Sequence, residues 1–308
     1  MKICFISGVK FGHELLSHML ENNLNISIVF SYADNKKTNY SDFIAFDDIT
    51  MKYGIKHVKV NNINDLENVK ILNEIHPDLI LVMGWSQLLK KEILNIPKLG
   101  TIGSHPTELP KYRGRSPIPW TIIKGLNESA LTFFYITEGT DEGDIVNQHN
   151  FRIIPNDDAH SLYEKIIIIG KQMIMETIQL LEQNKIKRIP QDNLKFIEYW
   201  IKRTPEDGKI NWVNSAKEIH TLIRGTTHPY PGAFTYYKKS KLVIWQAEYT
   251  QNDTNKSPGE ILDVSKQGLK VSTGMGYVLL QKISLNNGEE KNPYNIFSKK
   301  DLGVILGE

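Results

Sequence analysis

The first third of the chain alternates short apolar runs with longer segments in which apolar residues recur every three or four positions. The segments with this longer spacing predict helices. The apolar runs predict buried strands: "KICFIS" (2–7), "ISIVF" (26–30), "HVKV" (57–60), "DLILVMG" (78–84) and "GTIGSH" (100–105). Continuous runs rich in β-branched residues, separated by helices, indicate an α/β fold with a Rossmann-like, mostly parallel sheet covered on both faces.

The hydrophobic pattern changes after a long predicted helix over 158–184. Residues 191–210 are rich in charge and contain Pro205, which is typical of a linker. Beyond them, short apolar runs recur at regular spacing between Gly and Asn turns, which predicts a smaller, mainly β, OB-like barrel. We therefore predict an N-terminal domain over 1–190, a linker over 191–210 and a C-terminal domain over 211–308.

Two polar side chains stand in Gly- and Pro-bounded loops that follow predicted strands. His105 ends one strand and opens "HPTELPKYRG", and Asp141 lies in "GTDEGD" after another. Ligands of open α/β sheets bind beyond the carboxyl ends of the strands, where a carboxylate can orient an imidazole. A strand-end histidine is more often structural, and an aspartate between glycines is more often a turn former. The coincidence of the two features favours a functional pair.

Composition narrows the classes of function. The 308 residues are 40% hydrophobic and 23% charged, and a formal net charge of +2 is far from the basic excess of a general nucleic-acid coat. The single cysteine, Cys4, excludes an internal disulfide, and the lack of Cys/His clusters predicts no metal site. No signal-peptide pattern or membrane-spanning run stands out, so we expect a cytoplasmic protein with no membrane partner.

The motif "HPTELPKYRG", followed by "TDEG" with Asp141 thirty-six positions after His105, resembles the formyltransferase family that uses 10-formyltetrahydrofolate. That family includes methionyl-tRNA formyltransferases and sugar N-formyltransferases. The stretch "RTPEDGKINWVNSAKEIHTLIRGTTHPYPGAF" resembles the entry to the C-terminal domain of some members. The resemblance covers nearly the whole chain and implies an N-formyltransferase whose catalytic domain is 1–190.

The resemblance also implies roles for individual residues. His105 corresponds to the catalytic histidine, and Asp141 to the carboxylate that increases its basicity. Arg115 corresponds to a substrate-binding arginine, and Arg113 is a further candidate for contacting substrate or phosphate. The residues implied to bind the donor 10-formyltetrahydrofolate are Gln87, Leu88, Leu89, Thr137, Glu138, Gly139 and Thr140.

One position departs from the family pattern. The family places an asparagine two residues before the histidine, where its amide stabilises the oxyanion, but this chain has Gly103 there. Ser104 points to the opposite face of the strand and cannot simply replace it. Losing an oxyanion donor can cost about 2.7–4 kcal/mol. Protonated His105, a backbone N–H or a bound water remains as the substitute.

The acceptor is predicted from charge. The segment 31–43 has two lysines against two aspartates, and residues 201–308 contain 15 Lys/Arg against 11 Asp/Glu. This excess is small for gripping an RNA backbone. We therefore expect a nucleotide-linked amino sugar of surface polysaccharide biosynthesis as acceptor, with no nucleic-acid partner. Methionyl-tRNA is the alternative, a folate or nucleotide binder without turnover is a third, and a homodimer remains open.

Overall fold

The structure is a computed structural model that describes residues 1–191, 198–252, 254–286 and 288–307. It divides into two compact units, each described by itself below. The first comprises Met1–Pro117, Asn127–Ile153 and Tyr163–Ile201, and the second comprises Ile118–Leu126, Ile154–Leu162 and Lys202–Glu308. Residues 192–197 of the predicted linker lie outside the described residues, and the predicted domain bounds stay a prediction.

A seven-stranded sheet organises the first unit, in the order β3–β2–β1–β4–β5–β7–β8. The strands from β1 to β5 are parallel, whereas β7 and β8 run antiparallel at one edge. A separate parallel pair joins β6 to β9. The predicted α/β class with a mostly parallel sheet is thus confirmed. The strands are β1 (Ile3–Ile6), β2 (Ile26–Tyr32), β3 (His57–Val60), β4 (Leu79–Val82), β5 (Thr101–His105), β6 (Arg113–Gly114), β7 (Glu128–Tyr135), β8 (Ile145–Arg152) and β9 (Tyr199–Trp200).

Helices connect these strands and cover the sheet. Every residue of β1 and β4 is buried, which explains why the central strands read as continuous apolar runs. Leu15, Leu16 and Met19 of α1 are fully buried at the spacing expected for one helix face. In the part of the chain that the structure describes, every helix is too short or too polar to cross a lipid bilayer. Along the whole chain the helices are α1 (Lys10–Glu21), α2 (Asp47–Tyr53), α3 (Leu66–Ile75), α4 (Lys91–Leu94), α5 (Pro117–Ile123), α6 (Ala159–Glu182) and α7 (Ala216–Thr226). Of these, α7, α5 from Ile118 onward and the first turn of α6 belong to the second unit.

The second unit is built on a five-stranded antiparallel sheet in the order β10–β11–β14–β13–β12. Its core contains Ile219 and Ile223 of α7 together with inward-facing residues of the strands, such as Ile244 and Leu280. This confirms the smaller, mainly β C-terminal part. The strands are β10 (Ala233–Tyr237), β11 (Ser240–Thr250), β12 (Ile261–Ser265), β13 (Gly268–Ser272) and β14 (Tyr277–Leu285).

A capping box fixes the start of α7 and yields a stability prediction. The Ser215 hydroxyl accepts from the Glu218 backbone N–H, and the Glu218 carboxylate accepts from the Ser215 backbone N–H. We expect Ser215→Ala to lower the free energy of unfolding of the second unit by about 1 kcal/mol in urea denaturation. The exposed neighbour Lys217 provides the control, because Lys217→Ala should change stability by less than about 0.5 kcal/mol. Equal losses in both variants would contradict the capping role.

Candidate active site

His105 is the last residue of β5, and its imidazole is held from two sides. The side chain is buried, and Nε2 donates a hydrogen bond to the backbone carbonyl of Tyr112 at 2.9 Å. On the other side, Nδ1 lies 3.6 Å from Oδ2 of Asp141, within ion-pair range but longer than a hydrogen bond. Catalytic contacts are often this long in unliganded enzymes. The structure therefore brings together the two residues predicted to be catalytic.

Backbone geometry aims the Asp141 carboxylate at the histidine. Asp141 has φ +54°, in the left-handed region, and its Oδ2 accepts the Gly114 backbone N–H at 2.9 Å. Gly114 itself has φ +108°, and a Cβ there would lie 2.3 Å from the backbone oxygen of Trp200. Only glycine satisfies both conditions. The "RG" of the sequence motif thus supplies a donor that fixes the carboxylate.

Arg113 and Arg115 are adjacent in sequence but have different surroundings. Arg113 is 2% exposed, and its guanidinium donates to Oε1 of Gln191 from Nε at 3.1 Å and from Nη2 at 2.6 Å. Arg115 is exposed, and its backbone N–H pairs with the Trp200 carbonyl. The predicted substrate contacts of both arginines stay predictions. Of the two, Arg115 has the side chain that a solute can reach.

Gln191, predicted to be the first residue of a linker, contributes to the active site instead. The Gln191 amide donates to the backbone oxygens of Asp141 and Gly143, both at 2.8 Å. A lone glutamine in a charged segment carries no periodic or motif signal. Its role becomes visible only through its burial and its partners.

The residues predicted to bind the donor lie on two segments, 87–89 and 137–140. Lys91 of α4, two residues after the first segment, forms an ion pair with Glu138 of the second at 3.3 Å. The Gln87 amide is used internally, since Oε1 accepts from Ile63 N–H and Nε2 donates to the Asn61 carbonyl. Gln87 thus ties its loop to residues 61–63. Its predicted contact with the donor stays a prediction, as do the predicted contacts of the other six residues.

The first predicted donor-binding segment exposes one leucine and buries the next. Leu88 is 57% exposed although it is apolar, whereas Leu89 is buried. Within the described part of the chain, no protein group accepts the backbone N–H groups of Leu88 and Leu89 or those of residues 137–140.

The space beside Gly103 is occupied by Ile136. A Cβ built on Gly103 would lie 2.8 Å from Cδ1 and 2.9 Å from Cγ1 of Ile136, closer than real Cβ contacts. An asparagine at this position would therefore have to displace the end of the Ile136 side chain. Ile136 is apolar and provides no hydrogen-bond donor in its place. The predicted substitutes, protonated His105, a backbone N–H or a bound water, stay predictions.

The residues that the structure describes form no candidate metal site. Those residues contain no group of three or more His, Cys, Asp or Glu side chains placed to hold a metal ion. Burial raises the pKa of the Cys4 thiol far above its usual range, so Cys4 stays protonated and packs in the core.

Comparison with known proteins decides the family. Residues 1–178 match the Formyl transferase family, and residues 202–300 match the family Formyl transferase, C-terminal domain. The chain belongs to the formyl transferase family. It is an enzyme that transfers a one-carbon formyl group, and the family takes that group from 10-formyltetrahydrofolate.

Relatives of this formyltransferase include the methionyl-tRNA formyltransferase of Alkaliphilus oremlandii, 33% identical over 313 residues that cover all of both chains. HypX from Aquifex aeolicus, solved with tetrahydrofolic acid, has a TM-score of 0.69 at 18% identity; the match covers 96% of this chain and only 46% of HypX. An N-formyltransferase from Helicobacter canadensis, solved with folinic acid and dTDP-3-aminofucose, has a TM-score of 0.67 at 20% identity over 91% of this chain and 98% of that one. At these identities the solved structures support the fold alone.

These relatives contradict two predictions made from charge. Besides the Alkaliphilus enzyme, further methionyl-tRNA formyltransferases are 30–34% identical to this chain over its full length. The prediction of a nucleotide-linked amino sugar as acceptor is therefore wrong, as is the prediction that nucleic acid is not a partner. The sugar-acting neighbour is similar in fold only. The predicted role in surface polysaccharide biosynthesis depended on that acceptor and is no longer supported.

The structure explains why counting charges misled in the segment 31–43. Asp34 pairs with Lys59 at 3.0 Å. Oδ2 of Asp42 accepts the Tyr163 hydroxyl at 2.6 Å, and burial raises the pKa of this carboxyl. Asp42 is thus used internally, whereas Asp34 stays exposed in its ion pair with Lys59. Lys36 and Lys37 remain on the segment without an acidic partner among the described residues, so its accessible charge is more positive than its formal charge.

The first prediction for the site concerns the pair itself. We expect Asp141→Asn to lower kcat, because removing the anion destabilises the imidazolium formed during proton transfer. His105→Asn should lower kcat further, by about 10²–10⁴-fold. Glu142→Gln, which removes the exposed neighbouring carboxylate, should lower kcat less. Unchanged rates in both Asp141→Asn and His105→Asn would place the chemistry on other residues.

The second prediction tests the crowding at Gly103. Gly103→Asn alone should lower both kcat and the thermal midpoint, because its side chain collides with Ile136. Adding Ile136→Ala removes the collision. If the new amide then reaches the oxyanion, kcat of the double variant should exceed that of Ile136→Ala alone by about 10²–10³-fold. A fully stable and active Gly103→Asn single variant would show that the space is not limiting.

Proposed function

We propose that this formyltransferase formylates the amino group of methionyl-tRNA with 10-formyltetrahydrofolate as donor. The observation that carries the proposal is the 33% identity to a methionyl-tRNA formyltransferase over the full length of both chains. A shared length of this kind includes both the α/β part and the C-terminal part, so the likeness extends beyond the folate-dependent chemistry. Because aminoacylated tRNA is used where translation occurs, the proposal implies a cytoplasmic enzyme.

We further propose His105 and Asp141 as the residues that handle protons in this reaction. The amine nitrogen attacks the formyl carbon of the donor. The bond between that carbon and the donor nitrogen then breaks, and tetrahydrofolate leaves. The amine must lose a proton and the leaving nitrogen must gain one, so a single imidazole can serve both needs. Asp141 stabilises the imidazolium formed between these steps. Nε2 carries a proton in the present geometry, since the Tyr112 carbonyl can only accept.

The segment 31–43 supports an acceptor with a phosphate backbone. Lys36 and Lys37 lie on the 3₁₀ helix Asp34–Asn39, at least partly accessible and without carboxylate partners among the described residues. The aromatic rings of Tyr32 and Tyr40 stack at 4.1 Å and fix both ends of this stretch to the sheet. Two cations on an anchored loop can position phosphates without a large net charge on the protein.

A charge-reversal experiment tests this part of the proposal. We expect Lys36→Glu/Lys37→Glu to lower kcat/KM for methionyl-tRNA on the order of tenfold at low salt, because two phosphate contacts are lost. The salt dependence of log(kcat/KM) should become shallower by about two units of slope. The matched control is Lys56→Glu/Lys70→Glu, which reverses two exposed lysines elsewhere on the same unit. Equal losses in both double variants would indicate a nonspecific field rather than contacts of this segment.

The proposed function itself is tested by turnover. Purified enzyme, 10-formyltetrahydrofolate and methionyl-tRNA should yield N-formylmethionyl-tRNA, detected by mass spectrometry of the released aminoacyl group. Uncharged tRNA and methionine alone serve as controls, because neither combines a free amine with the RNA. Enzyme that binds folate but leaves methionyl-tRNA unformylated would refute the proposal.

A further inference from the structure

Two buried residues between the two family matches contact loops of the active site. The matches end at residue 178 and resume at residue 202, and Gln191 and Trp200 lie between them. Trp200 stacks on Tyr112 with ring centroids 4.6 Å apart, and its carbonyl accepts the Arg115 N–H. Trp200 therefore packs on the loop that follows His105.

Gln191 is held so completely that its amide has one orientation. Its oxygen accepts two hydrogen bonds from Arg113, and its nitrogen donates two, to the carbonyls of Asp141 and Gly143. An amide can make two bonds on each side, so every site is used. Reversing the amide would set its NH₂ against a guanidinium and its oxygen against two carbonyls. Arg113 therefore dictates which way Gln191 points.

The Asp141 loop needs such an external partner. Asp141 occupies the left-handed backbone region, which is less favourable for a residue with a side chain than for glycine. The bond from Gln191 to the Asp141 carbonyl holds the backbone of this residue, while Gly114 holds its carboxylate. Backbone and side chain are thus fixed independently. Losing either contact lets the carboxylate move relative to His105.

We propose that Gln191 is a positioning residue for catalysis: it fixes the Asp141 loop so that the carboxylate faces His105, and Arg113 orients Gln191 for this task. The inference rests on the proposed pair of His105 and Asp141. It assigns a role in catalysis to a residue that lies between the two family matches. Gln191 does not touch substrate; it acts through Asp141.

The decisive variant is Gln191→Glu. A glutamate keeps the shape and the two bonds from Arg113, but it replaces the donor by an oxygen that repels the two carbonyls. The protein should still fold, because the buried guanidinium keeps a partner, with a moderate loss of thermal stability from the two unpaired carbonyls. Since an ångström of misplacement can cost about 10²-fold in rate, we expect kcat to fall on the order of 10–10²-fold while KM for both substrates changes less than about threefold.

Two further measurements separate positioning from general folding. In a double-mutant cycle, Gln191→Glu should add almost nothing to Asp141→Asn, because there is then no carboxylate to position. Amide hydrogen exchange of Gly114, whose N–H the Asp141 carboxylate accepts, and of Tyr135, whose N–H donates to the Asp144 carbonyl, should speed up in Gln191→Glu, a readout that requires no turnover. Gln179→Glu, the same chemical change on an exposed face of α6, should alter neither quantity.

The possible outcomes have distinct meanings. Full additivity with Asp141→Asn, or a loss of thermal stability with an unchanged kcat, would overturn the positioning role. Unchanged hydrogen exchange of Gly114 and Tyr135, the two amides bonded to the Asp141 loop, would overturn it as well. Wild-type enzyme that fails to formylate methionyl-tRNA would refute the proposed function instead, and the hydrogen-exchange result would still decide whether Gln191 fixes the loop.

Discussion

The antiparallel register between β5 and β7 is the constraint on which the site depends. His105 pairs with Thr132, whereas Tyr135 at the end of β7 pairs with Ile102, near the start of β5. The strand itself therefore carries the chain away from the histidine. Asp141 reaches His105 only because the loop after β7 folds back, and a loop that returns in this way needs contacts outside its own strands. Gly114 and Gln191 provide them.

This constraint shows how far sequence reasoning could go. The parallel strands were predictable because strands buried on both faces appear as continuous apolar runs. The pairing of His105 with Asp141 was also predictable from the motif, but for an incomplete reason. Both residues follow strands, yet β7 is antiparallel, so the two strand ends do not meet at one edge. The loop path that joins them depends on Gly114 and Gln191, which no periodicity marks.

Charge counting failed for a related physical reason. A formal count treats every carboxylate as an accessible surface charge, but Asp42 is partly buried and accepts the Tyr163 hydroxyl, and exposed Asp34 is paired with Lys59. Electrostatic recognition by a large polyanion depends on the charges that remain accessible. The net charge of a segment is thus a weak predictor of its partner when its acidic residues have tertiary roles.

The same return of the β7 loop links the departure at Gly103 to the geometry of the pair. Ile136 is the first residue after β7, and its side chain lies where a side chain on residue 103 would begin. An asparagine at 103 would collide with the Ile136 side chain in its present conformation. Gly103 is therefore not an isolated loss of a donor, because restoring the amide requires repacking at the base of the loop that carries Asp141. The oxyanion position and the carboxylate position are coupled through one side chain, and a change in either one must be judged by its effect on the other.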